Sequence, residues 1–391
     1  MSNGLMNRVL PAPAAFQPLK ALLCTIPMLL LSAMMLSHGS FPTEPLQRIA
    51  LGLTYIFCNG LFFLMLYTGK VHRYRSVFFI TAAFAFIISF GANLLEVRGS
   101  MVLNEANIID GDTPFCHLVI PMVIIPAALT KTIIFPGTLL NRFASIAGMV
   151  VLWLGASVAL GRGWCSWVCF YGGLDEGFSR LCKKPVISDI DTKWTYLPWA
   201  VLLGIVLTSA LTLSPTYCEW LCPFKTVTEF GAITSFKTLI QTVIFVTLFL
   251  ALVVVLPIIT GRRIQCGLFC PFAAFQSVTN KFNIFDIRID REKCVDCNRC
   301  SKGCPTFSLD EASIREGKTL LSCTKCGKCV DICPRQAIRF HIKGTSVSAS
   351  AESARLLFLY PAFIFATAVG GGMVYGAMVR VLKLVTTGSM F

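Results

Sequence analysis

The chain of 391 residues is 55% hydrophobic and only 14% charged, with a mean hydropathy of +0.70. Soluble domains carry about 25% charged residues, so this composition excludes a wholly soluble protein. The net charge of +14 does not indicate nucleic-acid binding, because the basic residues lie in short connections beside apolar runs and no basic helix or aromatic stacking module accompanies them. The sequence predicts an α-helical polytopic membrane protein.

Seven apolar runs are long enough to cross a bilayer, whose hydrocarbon core of about 30 Å needs about 20 apolar residues in a helix. An eighth stretch, 117–136, contains three prolines and Lys131, which favour a re-entrant or interfacial segment over a straight lipid-facing helix. The seven predicted spans are residues 20–37, 49–68, 76–95, 143–160, 195–214, 238–260 and 356–379.

The distribution of lysine and arginine predicts the orientation of these spans. Basic residues cluster in 69–75 and in 261–293, and both clusters favour the cytoplasmic face. An even number of spans must then separate the clusters, which requires that 117–136 does not cross. We therefore expect a bacterial inner-membrane protein with a cytoplasmic N-terminus, a periplasmic C-terminus, and the acidic loop 96–116 outside.

Three cysteine pairs with CX3C spacing lie beside apolar runs. An i, i+4 pair lies on one face of a helix, so both sulfurs can point to one metal centre. In a reduced compartment such spacing indicates metal ligation rather than disulfides, although buried apolar thiols are the alternative. The pairs are Cys165–Cys169, Cys218–Cys222 and Cys266–Cys270.

One span separates each CX3C pair from the next, so the first and third pairs share the cytoplasmic face. Two pairs supply the four thiolates of a [4Fe–4S] cluster. The expected ligands of this joint cluster are Cys165, Cys169, Cys266 and Cys270.

The middle pair, Cys218 and Cys222, is then expected toward the outer face together with Cys116 and His117. Three roles remain open for this group: an additional outer metal site, a disulfide, or a redox dithiol in an oxidising compartment. Cys182 lies close behind the first pair and is either a further ligand or a bystander.

Residues 294–334 contain two copies of a Cys-x2-Cys-x2-Cys-x3-Cys-Pro motif. In such a run three cysteines bind one cubane, and the fourth crosses to the other cluster. A zinc-ribbon pair would lack the third cysteine of each run and the closing Cys-Pro, so two [4Fe–4S] clusters are expected. One cluster is assigned to Cys294, Cys297, Cys300 and Cys333, and the other to Cys323, Cys326, Cys329 and Cys304.

The sequence lacks the motifs of several other cofactors. A membrane b-type haem needs facing histidines within spans, and none of the four histidines lies at the middle of a predicted span. There is no C-x-x-C-H, Walker loop or dinucleotide fingerprint. We therefore expect neither haem nor NAD.

The combination of motifs resembles the NapH/NosR/CcoG-type membrane polyferredoxins, over roughly residues 76–345. It consists of the stretch from Gly161 to Cys169, the stretch from Cys266 to Phe272, and the double ferredoxin motif. The resemblance implies electron transfer between the quinol pool or a cytoplasmic donor and a partner redox protein. The chain departs from the family pattern at Phe170, where proline is usual, and in the extra Cys218–Cys222 pair. No Ser-Gly-Ala-Thr-like motif is present, so no covalent flavin is expected.

The expected function is that of an electron-transfer subunit rather than a stand-alone enzyme. It would relay electrons between the ferredoxin module, the membrane cluster or clusters, and quinone or a partner subunit. Soluble iron–sulfur or flavin proteins are the expected donors or acceptors. The alternative is a redox maturation or regulatory factor for another metalloenzyme.

The motifs divide the chain into four expected parts. These are an N-terminal two-helix membrane extension (1–75), a membrane domain with the CX3C pairs (76–280), an inserted cytoplasmic α+β 2[4Fe–4S] ferredoxin domain (281–345), and a linker with the C-terminal transmembrane helix (346–391).

Overall fold

A computed structural model describes residues 16–37, 41–96, 116–134, 139–140, 145–182, 184–187, 190–228, 233–346 and 351–389. Among these residues, seven helices are long and apolar enough to cross a membrane. Each predicted apolar run forms one of them. Their bounds are Pro18–Ser37, Pro45–Thr68, Val71–Ser89, Ile146–Phe178, Lys193–Thr212, Phe236–Thr260 and Ala351–Thr387.

The eighth apolar stretch forms the short helix Ile120–Thr130. Eleven residues rise about 16 Å, which is about half of the bilayer core. The helix is therefore too short to span by itself. The acidic loop 96–116 falls largely on residues 97–115, which lie outside the described residues.

Each CX3C pair leads from a long membrane helix into a short helix. The first pair follows the helix Ile146–Leu160 and precedes Phe170–Phe178. The third pair follows Leu256–Thr260 and precedes Pro271–Thr279. The middle pair follows Leu197–Thr212 and precedes Lys225–Thr228.

The helix Phe170–Phe178 packs closely on the third membrane helix, Val71–Glu96. A Cβ at Gly173 would lie 2.5 Å from the carbonyl oxygen of Phe79 and 2.6 Å from Cβ of Ala83. Only glycine permits this approach, which fixes the position of the first CX3C pair.

Replacing Gly173 by alanine is expected to destabilise the protein by about 1–3 kcal/mol, because the backbone of the facing helix must shift. The measurement is the apparent unfolding temperature in detergent. Gly204→Ala is the matched control, since a Cβ there meets nothing within 4 Å. Equal unfolding temperatures for the two variants would contradict the packing argument.

The ferredoxin domain contains two antiparallel strands, Phe285–Ile289 and Ile338–Ile342, paired from Phe285–Ile342 to Ile289–Ile338. Three short helices lie between them: Arg299–Gly303, Glu311–Arg315 and Lys328–Ile332. The first and third of these helices contain the third cysteine of each motif, so the two halves of the domain repeat one local fold.

The three-cysteine loops curl through left-handed residues at equivalent positions. Asp296 and Lys325 follow the first cysteine by two residues and have φ of 46° and 50°. Asn298 and Gly327 follow it by four residues and have φ of 54° and 79°. These turns bring three thiols of each run toward one point.

The ferredoxin domain contacts the membrane domain at several points. The backbone amide of Arg263 donates to the carbonyl oxygen of Pro305 at 2.9 Å, and the amide of His72 donates to Asp331 at 2.9 Å. In the last membrane helix, Phe358 stacks on Phe340 with ring centroids 4.9 Å apart. The start of the third membrane helix therefore lies against the ferredoxin domain.

Candidate metal centres

Two cavities in the ferredoxin domain are each lined by four cysteines. One is lined by the first three cysteines of the first run and the last cysteine of the second run. The other is lined by the first three cysteines of the second run and the last cysteine of the first run. We name them the distal site (Cys294, Cys297, Cys300 and Cys333) and the proximal site (Cys304, Cys323, Cys326 and Cys329).

Backbone amides donate to a cysteine sulfur at both sites. Ser308 donates to Sγ of Cys304 at 3.2 Å, and Ala337 donates to Sγ of Cys333 at 3.3 Å. Amide donors at the sulfurs of an iron–sulfur cluster raise its reduction potential. Both sites therefore have the ligands and donors that a [4Fe–4S] cluster requires.

The proximal site lies against the membrane domain, and a buried lysine lies beside it. Lys325 is 2% exposed, and its ammonium donates to Leu160 O at 3.1 Å and to Oδ1 of Asn280. Burial lowers the pKa of Lys325 to about 8, and the charge of Cys323 opposes this shift. Among the described residues no carboxylate lies within ion-pair distance of this ammonium, so an anionic cluster would supply the missing negative charge.

The first and third CX3C pairs come together beneath the proximal site. All four thiols are buried, with exposed fractions of 3% to 6%. Arg263 donates hydrogen bonds to both pairs, at Cys165 O and at Sγ of Cys266. We name this group the inner site, formed by Cys165, Cys169, Cys266 and Cys270.

The second cysteine of each inner pair has the same backbone conformation as the crossing cysteines of the ferredoxin domain. Cys169 has φ −68° and ψ 103°, and Cys270 has φ −66° and ψ 117°. The values for Cys304 are −68° and 119°, and those for Cys333 are −70° and 116°. The membrane pairs thus present their thiols from a local fold that the ferredoxin domain also uses.

Buried arginines hold the inner site together. Arg263 is 0% exposed and donates to Cys165 O at 2.7 Å and to Sγ of Cys266 at 3.1 Å. Arg162 donates to Cys266 O at 3.0 Å. Charge-assisted hydrogen bonds to sulfur favour the thiolate form that binds iron.

Two buried carboxylates balance part of this charge. Glu176 pairs with Arg75 at 2.5 Å and lies 3.8 Å from Arg263. Asp175 accepts a hydrogen bond at 2.9 Å from a backbone amide of the third pair. Because Arg162 is also buried, three buried arginines face two buried carboxylates. This excess of positive charge fits an anionic iron–sulfur cluster.

Several buried polar atoms around the inner site have no hydrogen-bond partner: Nε of Arg263, Oδ1 of Asp175 and Nε1 of Trp164. Buried polar groups are rarely left unsatisfied, so these atoms indicate a missing ligand. Among the described residues, no group of three or more His, Cys, Asp or Glu side chains could hold a single metal ion. A cubane needs a wider set, because each of its irons takes its own thiolate.

The cysteine motifs alone do not identify the buried arginines as part of the inner site. Arg162 and Arg263 lie within three residues of a CX3C cysteine and at the end of an apolar run. Charged residues in such positions are usually functional, and this signal could have identified them.

Trp167 connects the inner and proximal sites. It lies between the two cysteines of the first CX3C pair and is 2% exposed. Its indole nitrogen donates to the carbonyl oxygen of Lys325 at 3.1 Å, and Lys325 lies between Cys323 and Cys326. One side chain thus joins the cysteine loops of both sites.

Comparisons with known proteins agree with this arrangement. A family model described as a 4Fe-4S binding domain matches three times, at residues 141–186, 195–239 and 242–290, and each match contains one CX3C pair. A 4Fe-4S dicluster domain matches residues 286–334.

Relatives of the chain include other proteins with these domains. YccM of Escherichia coli (strain K12) is 26% identical over 210 residues, which are 51% of this chain and 56% of YccM. The ferredoxin-type protein NapH of the same strain is 24% identical over 53% of this chain and 71% of NapH. The regulatory protein NosR of Pseudomonas aeruginosa is 26% identical over 57% of this chain and 32% of NosR.

The chain is similar to the NapH/NosR-type membrane polyferredoxins. It spans just over half of the length of YccM. No solved structure matches it.

In this polyferredoxin, His117 and Cys116 lie next to the inner site. Nε2 of His117 lies 3.0 Å from Sγ of Cys169, and Sγ of Cys116 lies 3.9 Å from Oη of Tyr171. Cys222 is buried, and Phe224, two residues after it, stacks on Tyr171. The structure therefore places residues that the sequence assigns to the outer face close to the inner thiols.

Among the described residues, the thiol of Cys182 makes no hydrogen bond to the inner site. Its thiol donates to the carbonyl oxygen of Lys184 at 2.9 Å in a half-buried turn. This position favours the bystander role over the ligand role.

Proposed function

We propose that this protein relays electrons from a soluble donor through the distal, proximal and inner clusters to quinone or a partner subunit in the membrane. This proposal rests on the contact of Trp167 with Lys325, because one buried hydrogen bond connects the inner site to the proximal site. The clusters change oxidation state by one electron at a time, and any catalysis would belong to partner subunits.

The charges near the two ferredoxin sites favour one direction of electron transfer. Lys325 and Asp296 occupy equivalent positions in the two motifs. Lys325 is buried, whereas Asp296 is exposed and pairs with Arg291 at 2.7 Å. A buried positive charge raises the reduction potential of a nearby cluster, so electrons would move from the distal to the proximal site and toward the membrane.

The exposure of the sites supports the location of the partners. Cys297 of the distal site is exposed, whereas the cysteines of the proximal and inner sites are half-buried or buried. A soluble iron–sulfur or flavin protein would therefore dock at the distal site in the cytoplasm. With seven spans and a re-entrant Ile120–Thr130, the first and last helices would begin inside, and the C-terminus would lie in the periplasm.

A second candidate function is redox maturation or regulation of another metalloenzyme, which the name of the NosR relative favours. Co-purification separates the two: a respiratory subunit stays stoichiometric with its complex, whereas an assembly factor is substoichiometric.

Lys325→Gln tests the relay. Removal of the buried charge should lower the midpoint potential of the proximal cluster and slow quinone reduction in proteoliposomes supplied with dithionite. The potential is measured by an anaerobic redox titration followed by EPR. Lys302→Gln is the matched control, because Lys302 lies in the first motif but is exposed. The relay is wrong if neither the potential nor the rate of quinone reduction differs between the two variants.

A further inference from the structure

The middle CX3C pair is built like the two pairs of the inner site. Cys222 has φ −79° and ψ 107°, within about ten degrees of Cys169 and Cys270. A turn of helix precedes it, and a short helix follows. The same family model matches this unit and its two neighbours. The local fold that presents thiols to the inner site thus occurs a third time.

A third cysteine lies beside this pair. Sγ of Cys116 lies 3.9 Å from Oη of Tyr171. Phe224, two residues after Cys222, stacks on Tyr171 with ring centroids 4.1 Å apart. These contacts gather three thiols into one group: Cys116, Cys218 and Cys222.

A buried hydroxyl without a partner faces the same group. Tyr217 is 0% exposed, and its Oη has no hydrogen-bond partner. The thiols around this hydroxyl are those of Cys222, Cys270, Cys218 and Cys116, so it also faces the inner site. A buried hydroxyl left unsatisfied costs about 1–3 kcal/mol, so its position indicates that a ligand belongs among these thiols.

The third membrane helix gives the depth of this group. Its start at Val71 lies against the ferredoxin domain, where the residue packs near Gly327. Phe86 lies about 22 Å farther along the helix, and it stacks on Phe170 with ring centroids 4.1 Å apart. Tyr171, which contacts Cys116, follows Phe170. The three-thiol group therefore lies well along this membrane helix, away from its contact with the ferredoxin domain.

We propose that Cys116, Cys218 and Cys222 hold a second membrane-embedded iron–sulfur cluster, of the cubane type with three thiolate ligands. The fourth iron would take a ligand other than cysteine, and Tyr217 supplies an unpartnered hydroxyl there. His117 follows Cys116 in the chain and lies 3.0 Å from Cys169, so one dipeptide connects this cluster to the inner site. Its role as the next electron acceptor after the inner cluster rests on the proposed function.

The test compares the full-length protein, purified anaerobically, with the double variant Cys116→Ala, Cys222→Ala. Iron and acid-labile sulfide per chain are measured, and EPR spectra are recorded after reduction with dithionite. The variant should lose about four irons and one EPR signal, while the ferredoxin signals and the inner-site signal remain. Cys58→Ala, a buried thiol in the second membrane helix, should lose neither.

Three results would overturn the proposal: unchanged iron content in the double variant, a Cys218–Cys222 disulfide in the native protein by mass spectrometry, or zinc in place of iron. If the variant loses the irons but reduces quinone at the native rate, the cluster exists and the electron route does not pass through it. If the native protein shows these irons but no quinone reduction, the proposed function fails and the site stands.

Because the variant could also misfold, retention of the ferredoxin signals is required for the expected result. If those signals are lost, Tyr217→Phe replaces the double variant: it should shift the signal of this cluster alone, and an unchanged spectrum overturns the proposal.

Discussion

Replacing Cys266 by alanine is expected to lower the iron content of the anaerobically purified protein by about four atoms per chain and to stop electron transfer from the ferredoxin domain to quinone. Cys266 is 6% exposed, and its sulfur accepts a hydrogen bond from Arg263 at 3.1 Å. Without this thiolate the inner cluster loses a ligand, and the guanidinium loses the negative charge that compensates it. Iron and sulfide analysis, EPR and quinone reduction measure the effect.

Two controls separate a lost cluster from a lost fold. Cys297→Ala changes the distal site at its exposed cysteine, so it should remove a different EPR signal. Cys58→Ala replaces a buried thiol in a membrane helix and should leave the iron content unchanged. The inner site is disproved if Cys266→Ala retains the native iron content and all EPR signals.

Replacing Arg263 by methionine is expected to destabilise the protein by about 3–5 kcal/mol, which is typical for breaking a buried charge pair from one side. Arg263 is 0% exposed and joins the first CX3C pair to the third. Its loss also weakens the compensation of Glu176, which remains buried. The apparent unfolding temperature and resistance to proteolysis in detergent measure the effect.

The neighbouring residue offers a matched control. Arg262 is half-buried and stacks over Phe307, with its guanidinium 4.7 Å from the ring centroid, so Arg262→Met should cost less than Arg263→Met. Adding Glu176→Gln to Arg263→Met should deepen the loss, because Glu176 also pairs with buried Arg75 at 2.5 Å. Equal stability of Arg262→Met and Arg263→Met would show that the buried charges do not hold the inner site together.

The local chemistry followed from spacing alone. The first three cysteines of each ferredoxin run lie at fixed offsets, and the chain between them is too short to place their thiols anywhere but around one point. The apolar runs likewise predicted seven long helices, since no other regular structure satisfies backbone groups within a single segment in lipid. Both inferences depend on residues close together in sequence.

Contacts between distant segments required the tertiary structure. Sequence analysis placed Cys116 and Cys222 on the outer face, but it could not show that the segments carrying them turn back toward Tyr171. Nor could it identify Arg75 and Glu176 as part of the inner site, because Glu176 lies a hundred residues beyond Arg75 and the two meet only where their helices pack.

The sequence by itself thus determined which cysteines form each motif, and it predicted seven long apolar helices and a 4Fe–4S ferredoxin domain. The tertiary structure alone decided which ferredoxin site faces the membrane and which charges surround the inner thiols. The physical reason is that metal-ligand spacing and hydrophobic length are local properties. Burial of Lys325 and Arg263 instead depends on close packing between segments far apart in the chain, and the sequence does not record which segments meet.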